Sequence, residues 1–186
     1  MNFKKVLFLF ATLILVFSFS IGAHEKKWPE KRLRQVWPSA QSFTSKQISL
    51  TASQISKLIN EGVEIRSEDR SPTFYFVQEK TPSADKVKTV GIILFVDGYG
   101  ANGVMEISIA MGADGETKKI DIWEHSENSL VAKEDFLKQF LGKTSKSSFM
   151  ASKDYQPVTE AAKASEAIAK AVEKALKITD IVFAKK

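Results

Sequence analysis

The period of the apolar positions changes several times along the chain, and each change marks an element. Residues 6–19 carry no charge and are mostly Leu, Phe, Val and Ile. Lys4 and Lys5 precede this run, and Ser20, Gly22 and Ala23 come after it. A basic start, an apolar centre and a small-residue exit make a secretory leader over residues 1–23, with cleavage expected after Ala23 or Gly22. The alternative is an uncleaved membrane anchor, because the run approaches the ~18 residues at which a helix begins to span a bilayer. Both readings put the rest of the chain outside the cytoplasm. A charged arm over 24–35 then leads to Trp37-Pro38, where the globular region, 36–186, opens. Thr51-Ala52-Ser53-Gln54 has the spacing of a capping box, a hydroxyl at the N-cap and Gln three residues on. Ile55, Leu58 and Ile59 recur at helical intervals and Gly62 supplies a stop, which predicts a short amphipathic helix.

From Thr73 the period falls to two. An aromatic-rich stretch over 73–79 reads as a strand, and the apolar run over 87–97 reads as a central strand covered on both faces. The loop Gly98-Tyr99-Gly100-Ala101-Asn102-Gly103 leads into a strand in which Met105, Ile107, Ile109 and Met111 point one way while Glu106 and Ser108 point the other. Asp114-Gly115 is a two-residue hairpin signal, and Ile120 and Ile122 continue the alternation, so 104–111 should pair with 117–123. Helical spacing then returns. Phe136, Leu137, Phe140 and Leu141 mark a helix ending at Gly142-Lys143, and a Ser/Lys-rich linker spans 143–153. A long helix runs from near Thr159 to Leu176, with Ala161, Ala164, Ile168, Val172 and Ala175 on one face. Helix, antiparallel strands, helix, helix predicts an α+β fold with helices packed on a twisted antiparallel sheet.

Composition narrows the function. The leader holds two of the 27 basic residues and none of the 22 acids, which leaves an excess of +3 beyond it. That excess is small, and no Lys/Arg cluster is interleaved with aromatics, which argues against nucleic acid as a partner. The basic stretch over 26–34 suits weak attraction to an anionic membrane surface. The absence of Cys excludes the lipoprotein route, disulfides, thiolate catalysis, iron–sulfur clusters and c-type haem attachment. His24 and His125 are the only histidines, too few for a multi-histidine metal site. No Gly-x-Ser-x-Gly elbow, P-loop or His-Glu-x-x-His is present, so no catalytic residues and no metal ligands are expected.

Four stretches in this order resemble the FMN-binding domain family. They are Val36-Trp37-Pro38 before a helix, and Gly98-Tyr99-Gly100 before alternating strands around Asp114-Gly115. Next comes His125-Ser126-Glu127-Asn128, leading to the helix that closes on Leu141-Gly142-Lys143. The last is Pro157-Val158-Thr159-Glu160-Ala161-Ala162-Lys163-Ala164-Ser165 at the start of the C-terminal helix. The resemblance covers about 36–177. Members include flavoprotein subunits of the Rnf complex and of the sodium-pumping NADH:quinone reductase, which are exported, held near the membrane and relay electrons through FMN.

The resemblance implies FMN as cofactor, an envelope redox protein or complex as partner, a membrane-associated periplasmic or other extracytoplasmic location, and electron transfer as function. It also implies where FMN sits. Thr159, Ala161, Ala162, Lys163 and Ser165 stand at the family's phosphate-bearing motif, while Trp123, His125, Glu127 and Asn128 stand at the loop that meets the ring. Helix-terminal N–H groups suit a phosphate, with Thr159 as cap and Lys163 as a nearby cation. Trp123 as a stacking indole is weighed against a sheet residue covering a core edge, and His125 as a ring-facing donor against an ordinary loop residue. Two departures stand out. Ala162 replaces the Thr that receives FMN through a phosphoester bond in the family, and Glu160 replaces a Gly. Binding would therefore be non-covalent, and any enzymatic role would be at most that of a redox component. The alternative is a flavin-free binding or assembly module that kept the fold; a flavin-dependent reductase with its own substrate has no pocket motif to support it.

Overall fold

The computed structural model of the protein describes residues 28–81 and 84–183. The leader expected over 1–23 and His24 lie outside them. Five strands, β1 (Ser42–Gln47), β2 (Thr73–Thr81), β3 (Ala84–Tyr99), β4 (Val104–Gly112) and β5 (Thr117–Glu124), form one antiparallel meander in sequence order. Four α-helices, α1 (Glu30–Val36), α2 (Ala52–Asn60), α3 (Glu134–Leu137) and α4 (Ala162–Phe183), pack around it, giving the α+β architecture that the alternation predicts.

Strand parity decides what each face buries. In the β3–β4 ladder Ile92 pairs with Met111, Leu94 with Ile109, Val96 with Ile107 and Gly98 with Met105. These side chains share one face with Phe74 and meet the alanine-rich side of α4, where Ala164, Ile168, Ala171, Val172 and Ala175 are buried. Alanines let the helix lie close: a Cβ at Gly98 would come within 3.3 Å of the Ala167 carbonyl oxygen. The opposite parity carries Tyr75, Val77, Ile93 and Ala110, which pack against Leu33 and Val36 of α1. The centre of β3 is thus covered on both faces.

The capping box at α2 is formed. The Thr51 side chain accepts the Gln54 backbone N–H at 3.2 Å, and the Thr51 backbone N–H donates to Gln54 Oε1 at 2.9 Å. The β4–β5 hairpin also forms, with Met105, Ile107, Ile109 and Met111 buried as expected. Its connection is longer than the two-residue turn anticipated. Gly112 N–H donates to the Glu116 carbonyl at 2.9 Å, the Asp114 carboxylate accepts the Glu116 N–H at 3.0 Å, and Gly115 takes φ +79°. Asp114 builds a side-chain turn of its own and so extends the loop.

Other expectations change. The second half of the expected arm is α1, docked on the sheet with Leu33 fully buried. Leu33 and Val36 are one turn apart, and the charges around them hide the pair: Arg32 reaches Glu106 and, at 2.7 Å, Glu124. The first element after Trp37-Pro38 is β1, an edge strand in which only Phe43 is buried, so its polar sequence carried little strand signal. The helix expected around 136–141 is one short α-turn (α3) continued by a 3-10 turn, Lys138–Phe140, and Leu141 is exposed. The linker 143–153 is pinned by Phe149, which stacks on Phe140 with ring centroids 6.4 Å apart. Finally, α4 continues past Leu176, because Ile178, Ile181 and Val182 extend its apolar stripe.

Candidate functional site

The N-terminal half of α4, the end of β3 with the loop after it, and the segment beyond α2 enclose a groove of about 490 Å³. That volume is in the range that holds a small-molecule ligand. One side of α4 lines it, from Lys163 through Ala167 and Ala171 to Lys174. These positions share a helix face, and the eleven steps from 163 to 174 at 1.5 Å each make the groove about 16 Å long. Alanine at two successive turns keeps the floor low. The facing wall is Gly98, Tyr99 and Gly100 at the end of β3.

Gly100 is a glycine because of what lies behind it. A Cβ there would run into the Glu127 carboxylate, which accepts the Asn102 backbone N–H at 2.5 Å. Asn102 Nδ2 also donates to the Ser126 carbonyl at 3.2 Å. The loop after β5 therefore fastens the loop after β3, and holds the groove wall in place from outside.

The third wall carries Arg66. Its guanidinium carbon lies 3.6 Å from the Tyr99 ring centroid, its Nη2 sits 2.7 Å from Glu64, and its backbone N–H donates to Asp69 at 2.9 Å. Asp69 is buried and pairs with the equally buried Lys174 at 2.7 Å, a charge pair under the groove. The Tyr99 hydroxyl donates to Glu68. That hydrogen bond, ahead of others from backbone and Ser67, holds the Glu68 carboxyl down to about 2. Burial first, then the Glu68 contact, pushes the Tyr99 phenol up.

Most cations of this groove are neutralised locally. Arg66 pairs with Glu64, Lys174 with Asp69, and Lys170 with Glu166 at 2.6 Å. Lys163 makes no ion pair or hydrogen bond among the described residues. It stands at the start of α4, just after the 3-10 turn Thr159–Ala161, where the positive end of the helix dipole already favours an anion.

The nine residues expected at a site do not gather in one place. Lys163 lines the groove, and Thr159 and Ala162 are exposed at the same end of α4. Thr159 does not cap: the 3-10 turn Thr159–Ala161 has Val158 as N-cap with no side-chain hydrogen bond. Ser165 does that work from inside. Fully buried, it accepts the Val158 N–H at 3.0 Å and donates to the Ala161 carbonyl at 3.0 Å. Ser165 and the buried Ala161 thus position the helix start rather than face a ligand.

In the other loop, Glu127 braces Gly100 and Asn102, and Asn128 accepts the Leu130 N–H at 2.9 Å to cap the next 3-10 turn, Ser129–Ala132. The Nδ1 atom of His125 is buried and has no partner among the described residues. Of the two roles weighed for Trp123, the structure has the second, a sheet residue covering a core edge. Ile122 packs into the α4-side core, so strand parity turns Trp123 to the α1 side, where its Nε1–H donates to Ser108 Oγ at 2.9 Å and Arg32 lies 5.3 Å from its ring centroid. It cannot stack on anything held in the groove. Arg66 was missed by sequence reasoning, since it is 33 positions from Tyr99 and no period links them. Tyr99 was visible between two glycines, though only as part of a loop.

The chemistry of these walls suits an elongated ligand with an anionic end at Lys163 and a flat end near Tyr99. Flavin mononucleotide has that form, and no hydroxyl at Ala162 is available to bond its phosphate covalently. The family model of the FMN-binding domain matches residues 100–177. This segment contains Gly100, the β4–β5 hairpin, the Glu127 loop and most of α4, and the match supports FMN as the cofactor. No curated protein matches the chain.

Proposed function

Since residues 100–177 match the FMN-binding domain, we propose that the protein is an extracytoplasmic electron-transfer component that holds FMN non-covalently in the α4 groove. The single observation carrying this reading is Lys163, a cation without a partner among the described residues, in the first turn of α4 and on the groove wall. Lys163 and the positive end of the α4 dipole hold the phosphate. Gly98 and Gly100 stand on the facing β3 wall, and Ala167 and Ala171 leave room above the helix. Bound FMN supplies one- and two-electron chemistry, so the chain needs only to bind, orient and shield it. The leader pattern supports export, and an envelope redox protein or complex is the partner proposed with it.

A second reading has an observation in its favour: Glu160 is exposed one turn before the groove, with a carboxylate that opposes a phosphate, and Ala162 offers no attachment point. On that reading the domain is an assembly module without flavin. Titration of the purified protein with FMN, monitored by quenching of flavin fluorescence, separates the two. Saturable quenching is expected. Lys163→Ala should weaken it roughly tenfold or more, since hydrogen bonds to charged groups contribute about 1.5–3 kcal/mol. A wild-type protein that leaves FMN fluorescence unchanged would support the module reading instead.

A further inference from the structure

We propose that Arg66, backed by Tyr99, is the subsite for the flat ring system of the flavin, which lies against the guanidinium as the outer layer of a ring–cation–ring stack. This rests on the FMN reading of the groove. Both residues lie outside the segment matched by the family model, so the assignment comes from the geometry alone.

Arg66 is seated unlike the other cations among the described residues. Its guanidinium carbon is 3.6 Å from the Tyr99 ring centroid, whereas the other cation–aromatic contacts among the described residues lie at 5.0 to 5.7 Å. At 3.6 Å the group rests on the ring in van der Waals contact. Each partner is also held from a second direction. The Tyr99 hydroxyl is tied to Glu68, and Arg66 is tied through Nη2 to Glu64 at 2.7 Å and through its backbone N–H to Asp69 at 2.9 Å. Asp69 is in turn fixed by the buried Lys174. A side chain with several rotatable bonds is thereby held in one pose before any ligand arrives, which lowers the ordering cost of binding.

The Arg66 side chain nevertheless keeps 39% of its surface exposed, and it lines the groove together with Tyr99. A guanidinium is planar, delocalised and weakly hydrated, so aromatic systems stack on it favourably. The groove along α4 separates this subsite from Lys163 by up to about 16 Å, the rise of eleven helical residues. One elongated molecule can therefore place its anionic end on Lys163 and its ring on Arg66. Charge alone does not single out Arg66, because Glu64 already neutralises it. Its plane does.

The test uses the full-length mature protein and two probes, FMN and riboflavin, which share the ring but differ in the phosphate. Arg66→Ala keeps the backbone N–H that binds Asp69, and its folding is checked by thermal unfolding. It should weaken both probes by about tenfold, the order of a desolvated cation–π contact. Lys163→Ala should weaken FMN and leave riboflavin unchanged. Arg66→Lys keeps charge and stem but loses the plane, and should not restore riboflavin binding; it also stands in for Arg66→Ala if that variant does not fold. Three results would overturn the proposal. In the first, Arg66→Ala weakens FMN but not riboflavin, which makes Arg66 a phosphate contact. In the second, both Arg66 variants bind both probes like the wild type, which removes the ring subsite and leaves the FMN reading intact. In the third, the wild type binds neither probe, and the FMN reading falls with the subsite.

Discussion

Ala162 is exposed at the first residue of α4, two positions after the exposed Glu160 and beside Lys163, which has no partner among the described residues. If this is the place where relatives carry an acceptor threonine, the missing hydroxyl is the reason no phosphoester forms. Co-expression with a flavin transferase should leave the wild type without flavin fluorescence in a denaturing gel. The double change Glu160→Gly with Ala162→Thr should produce it; a folded double variant that stays dark limits the resemblance to the fold. A second residue-scale consequence concerns Glu68. Folding lowers its pKa from 4.5 to about 2, first through the Tyr99 hydrogen bond. Its contribution to stability is then fully present above about pH 4.5 and is lost as pH falls through about 2. The Glu68 carboxyl resonance should titrate well below 4.5 in the wild type and move up toward 4.5 in Tyr99→Phe; an unmoved midpoint would contradict the role given to Tyr99. Sequence reading reached Lys163, because a cation at a helix start has a local signature. It left Trp123 between two roles, although the parity that puts Ile122 in the α4-side core fixes the opposite face for its neighbour. What the sequence left hidden was which segment covers that second face, because 24–35 reads as a charged arm and 30–36 is the covering helix.

At the scale of elements, the period-two stretch became β2 to β5 and the alanine stripe became α4, because long segments with a consistent period leave little choice of structure. Short elements with polar surfaces escaped. β1 buries one side chain in six, and α1 spends two apolar residues among charges. The docking of α1 carries its own prediction. Leu33 is fully buried between α1 and the sheet, so Leu33→Ala should cost about 2–5 kcal/mol in chemical denaturation. A cost near zero would return residues 30–36 to the status of a charged arm that contributes nothing to the fold. The short α3 and its 3-10 continuation show the same limit from the other side: Phe136, Leu137 and Phe140 are buried as their spacing demanded, but the helix breaks before Leu141 can join them.

At the scale of the whole molecule, the two faces of one sheet are given different tasks. The α1 face is closed by Leu33, Val36 and the Arg32 contacts to Glu106 and Glu124. The α4 face carries the groove. The leader expected over residues 1–23 adds a prediction about where this molecule works. Intact-mass analysis of envelope fractions should find the chain shortened after Gly22 or Ala23, or retained whole in the membrane, and a cytoplasmic product with Met1 would refute export. The central claim is narrower: FMN is held, and held without a covalent bond. The direct measurement is to saturate the purified protein with FMN, remove the excess, precipitate the protein with acid and assay flavin in both fractions. The account predicts close to one FMN per chain, all of it in the supernatant. Flavin that stays with the precipitate, or none carried through the removal step at saturating concentration, would contradict it.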